Sequence, residues 1–269
     1  MTAPRIFFWV ASLVILTGGF FMPDQAKAQD SLTITVVFDN YEYKQGLETS
    51  WGFACVIQGM EDTLLFDTGA DGDILLRNME KMNLDPQQIE SLVISHDHWD
   101  HTGGLQAFLG QNDRVDLYLL DSFSQDLDAN ERFPNLKAHR SLESRKICEH
   151  VYTTGKMGSR IAEQSLIIDT SKGLIVITGC AHPGIVDIVK QAKTLLSKQI
   201  FLVMGGFHLR DKNDTEIADI IQNFQSLGVN YVGASHCTGD KAIKAFANTY
   251  KERAIDLGVG QVIRIDDLQ

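Results

Sequence analysis

The fold of this chain is decided by one stretch of ten residues, Ser95-His96-Asp97-His98-Trp99-Asp100-His101-Thr102-Gly103-Gly104. Three histidines and two aspartates lie within six consecutive positions of this stretch. The apolar residues 91–94 predict a short strand before it, and residues 104–109 predict the start of a helix after it. We therefore expect the cluster on a loop at the carboxyl end of a strand, where α/β proteins usually place their chemistry.

The spacing of these side chains is typical of a metal-binding loop. In an extended backbone His96 and His98 point the same way, so their imidazoles are expected to bind one ion. Asp100 and His101 follow and are expected to face a second ion, and two ions roughly 3.5–4 Å apart can share a hydroxide. The alternative is a polar surface loop, but five such side chains packed together would be costly to bury without a metal.

The same pattern recurs later in the chain, where an apolar strand is followed by a Gly/His loop and then a helix. It places His182, His208 and His236 at predicted strand ends, so that six of the eight histidines follow strands. Any one of these could be an ordinary core histidine, but their common position predicts one shared site. The remaining two, His139 and His150, are predicted to be surface residues.

Bulk composition sets limits on the domain organisation and on the partners. The chain has 269 residues, of which 44% are hydrophobic, which is enough for one large domain or two small ones. Its formal net charge of −11 disfavours a nucleic-acid partner, because the phosphate backbone is also negative. We therefore expect a small-molecule substrate.

The N-terminal residues 1–28 predict a secretory signal peptide, because a long apolar run is followed by Ala26-Lys27-Ala28. The alternative is an uncleaved anchor, but the apolar run of about 16 residues is shorter than a spanning helix needs. Cleavage would leave one catalytic domain at 29–269, periplasmic or secreted, without a stable membrane anchor. In such a compartment the four cysteines could form disulfides.

Four other segments carry predictions that the structure tests. Periodicity predicts a helix at 73–82, with Asp73 as its N-cap, and hairpins at 52–66 and 165–178. Residues 121–158 show no clear period. Such a long irregular segment is either a functional insertion that walls the substrate pocket or a solvated surface excursion.

The motif His96-x-His98-x-Asp100-His101, followed by Gly103-Gly104, resembles the metal loop of the metallo-β-lactamase superfamily. This resemblance implies an α/β fold, a four-layer αββα sandwich with two mixed β-sheets flanked by helices. Later motifs narrow it to a subgroup, 7,8-dihydropterin-6-yl-methyl-4-(β-D-ribofuranosyl)aminobenzene 5′-phosphate synthase, which joins a dihydropterin to a ribosylaminobenzene phosphate. These motifs are Gly-Cys-Ala-His-Pro-Gly at 179–184, Gly-Gly-Phe-His at 205–208 and Ser-His-Cys-Thr-Gly at 235–239.

The resemblance also implies metal ligands. It places His96 and His98 on a first metal, and it places Asp100, His101 and His236 on a second. Asp100 would also orient an attacking hydroxide.

The superfamily pattern leaves the roles of four residues open. His182 is the preferred middle ligand of the first metal, and Cys180 is a weaker candidate for the bridging position. Both could be ligands. His208 is either a proton donor or substrate-phosphate contact, or a ligand. Asp67 either supports the metal loop, as an aspartate near this position does in the superfamily, or belongs to an ordinary strand-end turn.

These residues lead to one main functional hypothesis with alternatives. The main one is a binuclear zinc hydrolase that uses a bridging hydroxide on a small ester or phosphoester, with an anionic or phosphorylated substrate. The alternative is the dihydropterin-type synthase, a transferase, and a lesser alternative is a non-catalytic binding protein. An oxidoreductase of the flavodiiron kind usually has a carboxylate where His98 stands. The histidine at position 98 therefore favours zinc over iron. We expect two Zn²⁺ ions, with Mn²⁺ or iron as alternatives.

Overall fold

The computed structural model of the chain describes residues 31–128 and 132–269, together with residue 1. Residues 2–28 of the predicted signal peptide therefore lie outside the described part. Within these two ranges, no helix has both the length and the apolar character needed to cross a membrane.

The first β-sheet has seven strands and comes mainly from the first half of the chain. Its strands lie side by side in the order β13 (Val262–Arg264), β1 (Thr33–Asp39), β2 (Phe53–Gln58), β3 (Leu64–Phe66), β4 (Ser91–Val93), β5 (Asp116–Leu120) and β6 (Lys137–Ser141). Strands β3 to β6 are parallel to one another, whereas β13, β1, β2 and β3 pair in antiparallel fashion. This sheet is therefore mixed.

The second β-sheet has six strands and comes from the second half of the chain. Its strands lie in the order β12 (Tyr231–Ser235), β11 (Ile200–Gly206), β10 (Gly173–Thr178), β9 (Leu166–Thr170), β8 (Val151–Thr153) and β7 (Arg145–Cys148). Strands β10, β11 and β12 are parallel, and the others pair in antiparallel fashion. This sheet is also mixed.

Helices cover the outer face of each sheet. They are α1 (Gly72–Lys81), α3 (Leu105–Gln111), α4 (Ile185–Leu196), α5 (Asp214–Leu227) and α6 (Asp240–Tyr250), whereas the short helix α2 (Trp99–Thr102) lies in the metal-binding stretch. One apolar core lies between the sheets and includes Phe53 and Ile177. A second core joins the first sheet to α1 and α3, and a third joins the other sheet to α4, α5 and α6. The expected four-layer αββα sandwich is confirmed.

The predictions for two segments need correction. Residues 121–158 are not a single irregular insertion, because they contain the short strands β6, β7 and β8 and carry the chain from the first sheet to the second. Strand β6 is an edge strand without a fully buried residue, so it lacks the alternation that reveals a strand. The N-cap of α1 is Asp71 rather than Asp73, since the Asp71 carboxylate accepts hydrogen bonds from Asp73 N and Ile74 N.

The parallel strands of both sheets direct their following loops to one edge of the sandwich. The metal-binding stretch follows β4, and the loops that carry His182, His208 and His236 follow β10, β11 and β12. The stretch bends at Asp97, is extended at His98 and then forms the short helix α2. Asp100 and His101 are therefore presented from a helical turn rather than from an extended loop.

Close backbone packing at Gly104 holds this stretch against the end of β3. A Cβ atom at Gly104 would lie 2.3 Å from the Thr68 carbonyl oxygen. Gly110, in α3, has nothing within 4 Å of the same position. The two glycines therefore form a matched pair.

We predict that Gly104→Ala lowers the free energy of unfolding by about 1–3 kcal/mol, because the backbone must shift to relieve the clash. Gly110→Ala should instead raise it by up to about 1 kcal/mol, because alanine favours the helix. Urea denaturation of both variants measures the difference. Equal effects would contradict the packing assigned to Gly104.

Candidate metal centre

The carboxylate of Asp67, fully buried at the end of β3, connects several parts of the metal-binding stretch. Its Oδ1 accepts a hydrogen bond from Ser95 N at 2.7 Å, and its Oδ2 accepts one from Ser95 Oγ at 2.7 Å. The same Oδ2 lies 2.7 Å from His101 Nδ1. Of the two interpretations of Asp67, the structure supports the one in which it holds the loop and orients a histidine.

These hydrogen bonds fix which nitrogen of each histidine is free to bind a cation. Because Asp67 is an acceptor, His101 donates from Nδ1 and keeps the lone pair on Nε2. Ser95 Oγ donates its hydrogen to Asp67, so His96 Nδ1, 2.9 Å from that oxygen, acts as the donor. His96 therefore also keeps its lone pair on Nε2.

His236 is oriented in the same way by a residue after β1. Its Nδ1 lies 2.8 Å from Asn40 Oδ1, an acceptor, so Nε2 carries the lone pair. The His236 ring also packs against Trp51, with 4.8 Å between the ring centroids. Asn40 and Trp51 both come from the segment between β1 and β2.

The loop after β10 is held by the buried carboxylate of Glu163. This carboxylate accepts hydrogen bonds from the backbone nitrogens of Cys180, Ala181 and His182 at 3.0, 2.8 and 2.7 Å. Burial raises the pKa of Glu163 to about 7, against the lowering effect of the three donors. These three hydrogen bonds fix the backbone of the loop that carries both candidate middle ligands, Cys180 and His182.

A first group of candidate ligands contains His96, His98 and His182, whose ligand atoms all lie within 4.8 Å of one another. His96 Nε2 and His98 Nδ1 are 3.1 Å apart. In a tetrahedral site with metal–nitrogen bonds of about 2.0–2.1 Å, two nitrogen ligands lie about 3.3–3.4 Å apart. The observed spacing is close to that value.

A second group contains Asp100, His101, Cys180 and His236, again within 4.8 Å of one another. Asp100 Oδ2 is 3.3 Å from His236 Nε2 and 3.7 Å from His101 Nε2. Cys180 Sγ is 3.3 Å from the same His101 nitrogen. Burial tends to raise the pKa of Asp100, but the contact with His236 and the nearby histidines hold it well below its usual range.

Two buried nitrogens show that these groups suit a cation. His182 Nε2 and His236 Nε2 have no hydrogen-bond partner in the structure, although a buried polar atom is normally satisfied. Each points into one of the two groups, where a metal ion would accept its lone pair. The mixed nitrogen, sulfur and carboxylate donors suit Zn²⁺, which binds all three.

The structure places Cys180 and His182 in different groups, so that the two candidates do not compete for one position. His182 completes the three-histidine group, and Cys180 joins the group with Asp100. Their side chains diverge because the residue between them, Ala181, has a positive φ of 59°. All four cysteines are free thiols, so none of the disulfides that the sequence allowed is formed.

His208 lies beside both groups but belongs to neither. Its exposed ring is 4.4 Å from the His182 ring, and its ligand atom lies within 4.8 Å of those of Cys180 and Cys237. A hydrogen bond with Cys237 raises the pKa of His208, which favours the protonated form. This position is compatible with the predicted proton donor or phosphate contact.

The remaining histidines lie away from these groups, as predicted. His139 stacks on Tyr118 and lies 2.6 Å from Asp116 Oδ1, and half-exposed His150 faces Glu149. Sequence reasoning missed Glu163 and Asn40, because neither residue lies near the ligand that it supports along the chain. A polar residue directly after an apolar strand was a signal for Asn40, and nothing comparable marked Glu163.

Sequence and structure comparisons agree with this geometry. A profile described as the metallo-β-lactamase superfamily matches residues 52–116, which include the metal-binding stretch. The chain is similar to the crystal structure of Tm1679, described as a metal-dependent hydrolase of the β-lactamase superfamily. The identity is 28% and the TM-score 0.73, over 87% of this chain and 99% of the other. The chain has the metallo-β-lactamase fold.

Other relatives extend the match. The metallo-β-lactamase fold protein YhfI from Bacillus subtilis shares the fold at 13% identity and a TM-score of 0.65, over 87% of this chain and all of the other. The chain is 26% identical to 7,8-dihydropterin-6-methyl-4-(β-D-ribofuranosyl)-aminobenzene-5′-phosphate synthase of Methanocaldococcus jannaschii, over 87% of this chain and 97% of that protein. The resemblance inferred from the motifs is confirmed, and these relatives indicate an enzyme.

We predict that Asp67→Asn weakens metal binding about 10- to 100-fold, because the amide no longer offers two anionic acceptors to Ser95 and His101. Competition with a chelating dye measures the affinity. Asp73→Asn, which changes an exposed carboxylate on α1, is the matched control and should leave affinity unchanged. Equal affinities for the two variants would contradict the role of Asp67.

Cobalt substitution separates the two candidate middle ligands. We predict that Cys180→Ser removes the thiolate-to-cobalt charge-transfer absorption, because Cys180 supplies sulfur to the group with Asp100. His182→Ala should lower the cobalt content but keep this band, and Cys148→Ser should change neither. A band that survives in Cys180→Ser would show that Cys180 is not the sulfur ligand.

Proposed function

We propose that this chain is a metal-dependent synthase that transfers a dihydropterin group to a ribosylaminobenzene 5′-phosphate, with two Zn²⁺ ions held by the two ligand groups. The observation that carries this proposal is the similarity to the synthase of Methanocaldococcus jannaschii, which extends over 97% of that protein. The motifs quoted from the sequence lie on the loops that form the candidate metal centre, so the resemblance includes the site itself.

The chain's own residues have distinct roles in this proposal. His96, His98 and His182 would hold one ion, and Asp100, His101, Cys180 and His236 would hold the other. When bound, the ions would neutralise the negative charge of a diphosphate leaving group. His208 reaches the edge of the site with an exposed imidazole, where its proton can be donated to a phosphate oxygen.

A hydrolase is the second candidate. It is supported by Tm1679, which is described as a metal-dependent hydrolase and whose chain is 99% covered by the match. In this function the ions would lower the pKa of a bound water, and Asp100 would orient it. The two candidates share one metal centre and differ in whether water or a second substrate is the acceptor.

We also propose that residues 1–28 direct the chain to the periplasm or cell exterior and are then removed. The support is the sequence pattern alone. The mass of the chain purified from the periplasmic fraction tests this proposal, because cleavage after Ala28 would leave Gln29 as the first residue. A full-length chain in the cytoplasm would contradict it.

Metal content and product analysis on one sample test the proposed function. Elemental analysis should find about two zinc ions per chain, and incubation with a dihydropterin diphosphate and the ribosylaminobenzene phosphate should release pyrophosphate. Hydrolysis of phosphodiester, thioester or lactam probes without coupling of the two substrates would favour the hydrolase. Iron instead of zinc would favour an oxidoreductase of the flavodiiron kind. Absence of any metal would contradict both the synthase and the hydrolase.

We predict that His98→Ala and Asp100→Ala each lower bound metal and abolish turnover, because each removes a ligand from a different group. Elemental analysis and the coupling assay measure the two effects. His150→Ala is the control, since it removes an exposed histidine outside both groups. Full metal content and full turnover in either ligand variant would contradict the assignment.

A further inference from the structure

A cavity beside His236 extends away from the metal centre toward α6. Its volume is about 240 Å³, and its walls include Tyr41, Trp51, Arg210, His236 and Lys241. Pockets that enclose a whole drug-sized ligand measure about 300–1,000 Å³, so this cavity suits one part of a substrate. A cavity of about 560 Å³ beside α1 is larger, but none of the candidate ligands lines it.

Arg210 offers a cation that is not neutralised within the protein. Its guanidinium lies over the Trp51 ring, 5.5 Å from the centroid. Among the described residues, no carboxylate lies within ion-pair distance of it. A guanidinium on an aromatic face keeps its edge free to bind a phosphate through two hydrogen bonds.

The backbone around Arg210 is held in place against the start of α6. Gly239 has a φ of +81°, and a Cβ atom there would lie 2.9 Å from Arg210 Cα. The loop that carries Arg210 therefore packs directly on the residue that precedes α6. The first turn of this 11-residue helix adds unpaired N–H groups and the positive end of the helix dipole to the same cavity.

The walls of the cavity also include one carboxylate, that of Asp240. The Asp240 carboxylate accepts a hydrogen bond from the Tyr41 hydroxyl at 2.7 Å. Lys241 Nζ lies 3.2 Å from Asp214 Oδ1, in a pair whose two side chains are both largely exposed. Such exposed pairs are weak, so Lys241 remains available to an anion. The cavity walls therefore carry two cations, Arg210 and Lys241, against the one carboxylate of Asp240.

One wall connects this cavity to the metal centre. The Trp51 ring contacts both Arg210 and His236, and His236 belongs to the group with Asp100. A substrate held by Arg210 would therefore extend toward the ions along the Trp51 side of the cavity.

We propose that this cavity binds a phosphomonoester group of the substrate, with Arg210 as the main binding residue and Trp51 as its support. The inference rests on the proposed function, whose acceptor substrate carries a 5′-phosphate. Arg210 provides affinity and positions the substrate, and it takes no part in the chemical step. The cavity is too small for the whole substrate, and the rest must lie over the metal centre.

Calorimetry on the zinc-loaded protein tests this inference, with ribose 5-phosphate as the probe and ribose as its neutral counterpart. We expect the wild type to bind the phosphate ester more tightly than ribose. Arg210→Ala should weaken that binding about 10- to 100-fold, because a charge-assisted hydrogen bond is worth about 1.5–3 kcal/mol. Arg210→Lys should fall between the two, since lysine keeps the charge without the planar fork.

Lys244→Ala is the matched control, because Lys244 is an exposed cation on α6 that lies outside the cavity walls. It should leave binding unchanged, and zinc content should be equal in all variants. Undetectable binding to the wild type, or equal affinities for wild type and Arg210→Ala, would overturn the inference. The second result would mean that the phosphate binds only at the metal ions.

The coupling assay separates this inference from the proposed function. Arg210-dependent binding of ribose 5-phosphate without coupling activity would overturn the synthase and leave the phosphate site intact. Coupling activity with an unchanged KM for the phosphorylated substrate in Arg210→Ala would overturn the phosphate site and leave the synthase intact. A higher KM with little change in kcat would support both.

Discussion

The candidate metal centre depends on the hydrogen bonds of one buried carboxylate, Asp67. It fixes the backbone of the metal-binding stretch at Ser95 and orients His101 directly and His96 through the serine hydroxyl. An isolated carboxylate in such a place would be costly to bury, and these donors offset that cost. The histidine rings are therefore held in the orientation that binds the ions before any metal is present.

The sequence predicts those features that are local and periodic. Helix α5 (Asp214–Leu227) is such a feature, because Asn213 and Glu216 form a capping box before a clear apolar stripe. The strand-end positions of the six histidines follow from the repeated pattern of strand, loop and helix. Parallel strands then bring these loops to one edge, so most of the candidate site could be assembled from the sequence.

The rest depends on contacts between residues distant along the chain. Strand β6 pairs only at the edge of its sheet and has little buried surface to mark it. Glu163 supports a loop 17 to 19 residues away, and Asn40 bonds a histidine 196 residues away. The ligand groups that Cys180 and His182 join depend on the backbone direction at Ala181. No rule on residue spacing predicts that direction.

The two halves of the chain divide the ligands between them. Four come from the stretch after β4 in the first sheet, and Cys180, His182 and His236 come from the second sheet. Each ion would therefore act as a cross-link between sheets, and its binding free energy would add to the stability of their packing. Any slide of one sheet over the other would change the distances between the ligands of each ion. Apolar residues between the sheets, such as Phe53 and Ile177, thus set the geometry of a reaction in which they take no direct part.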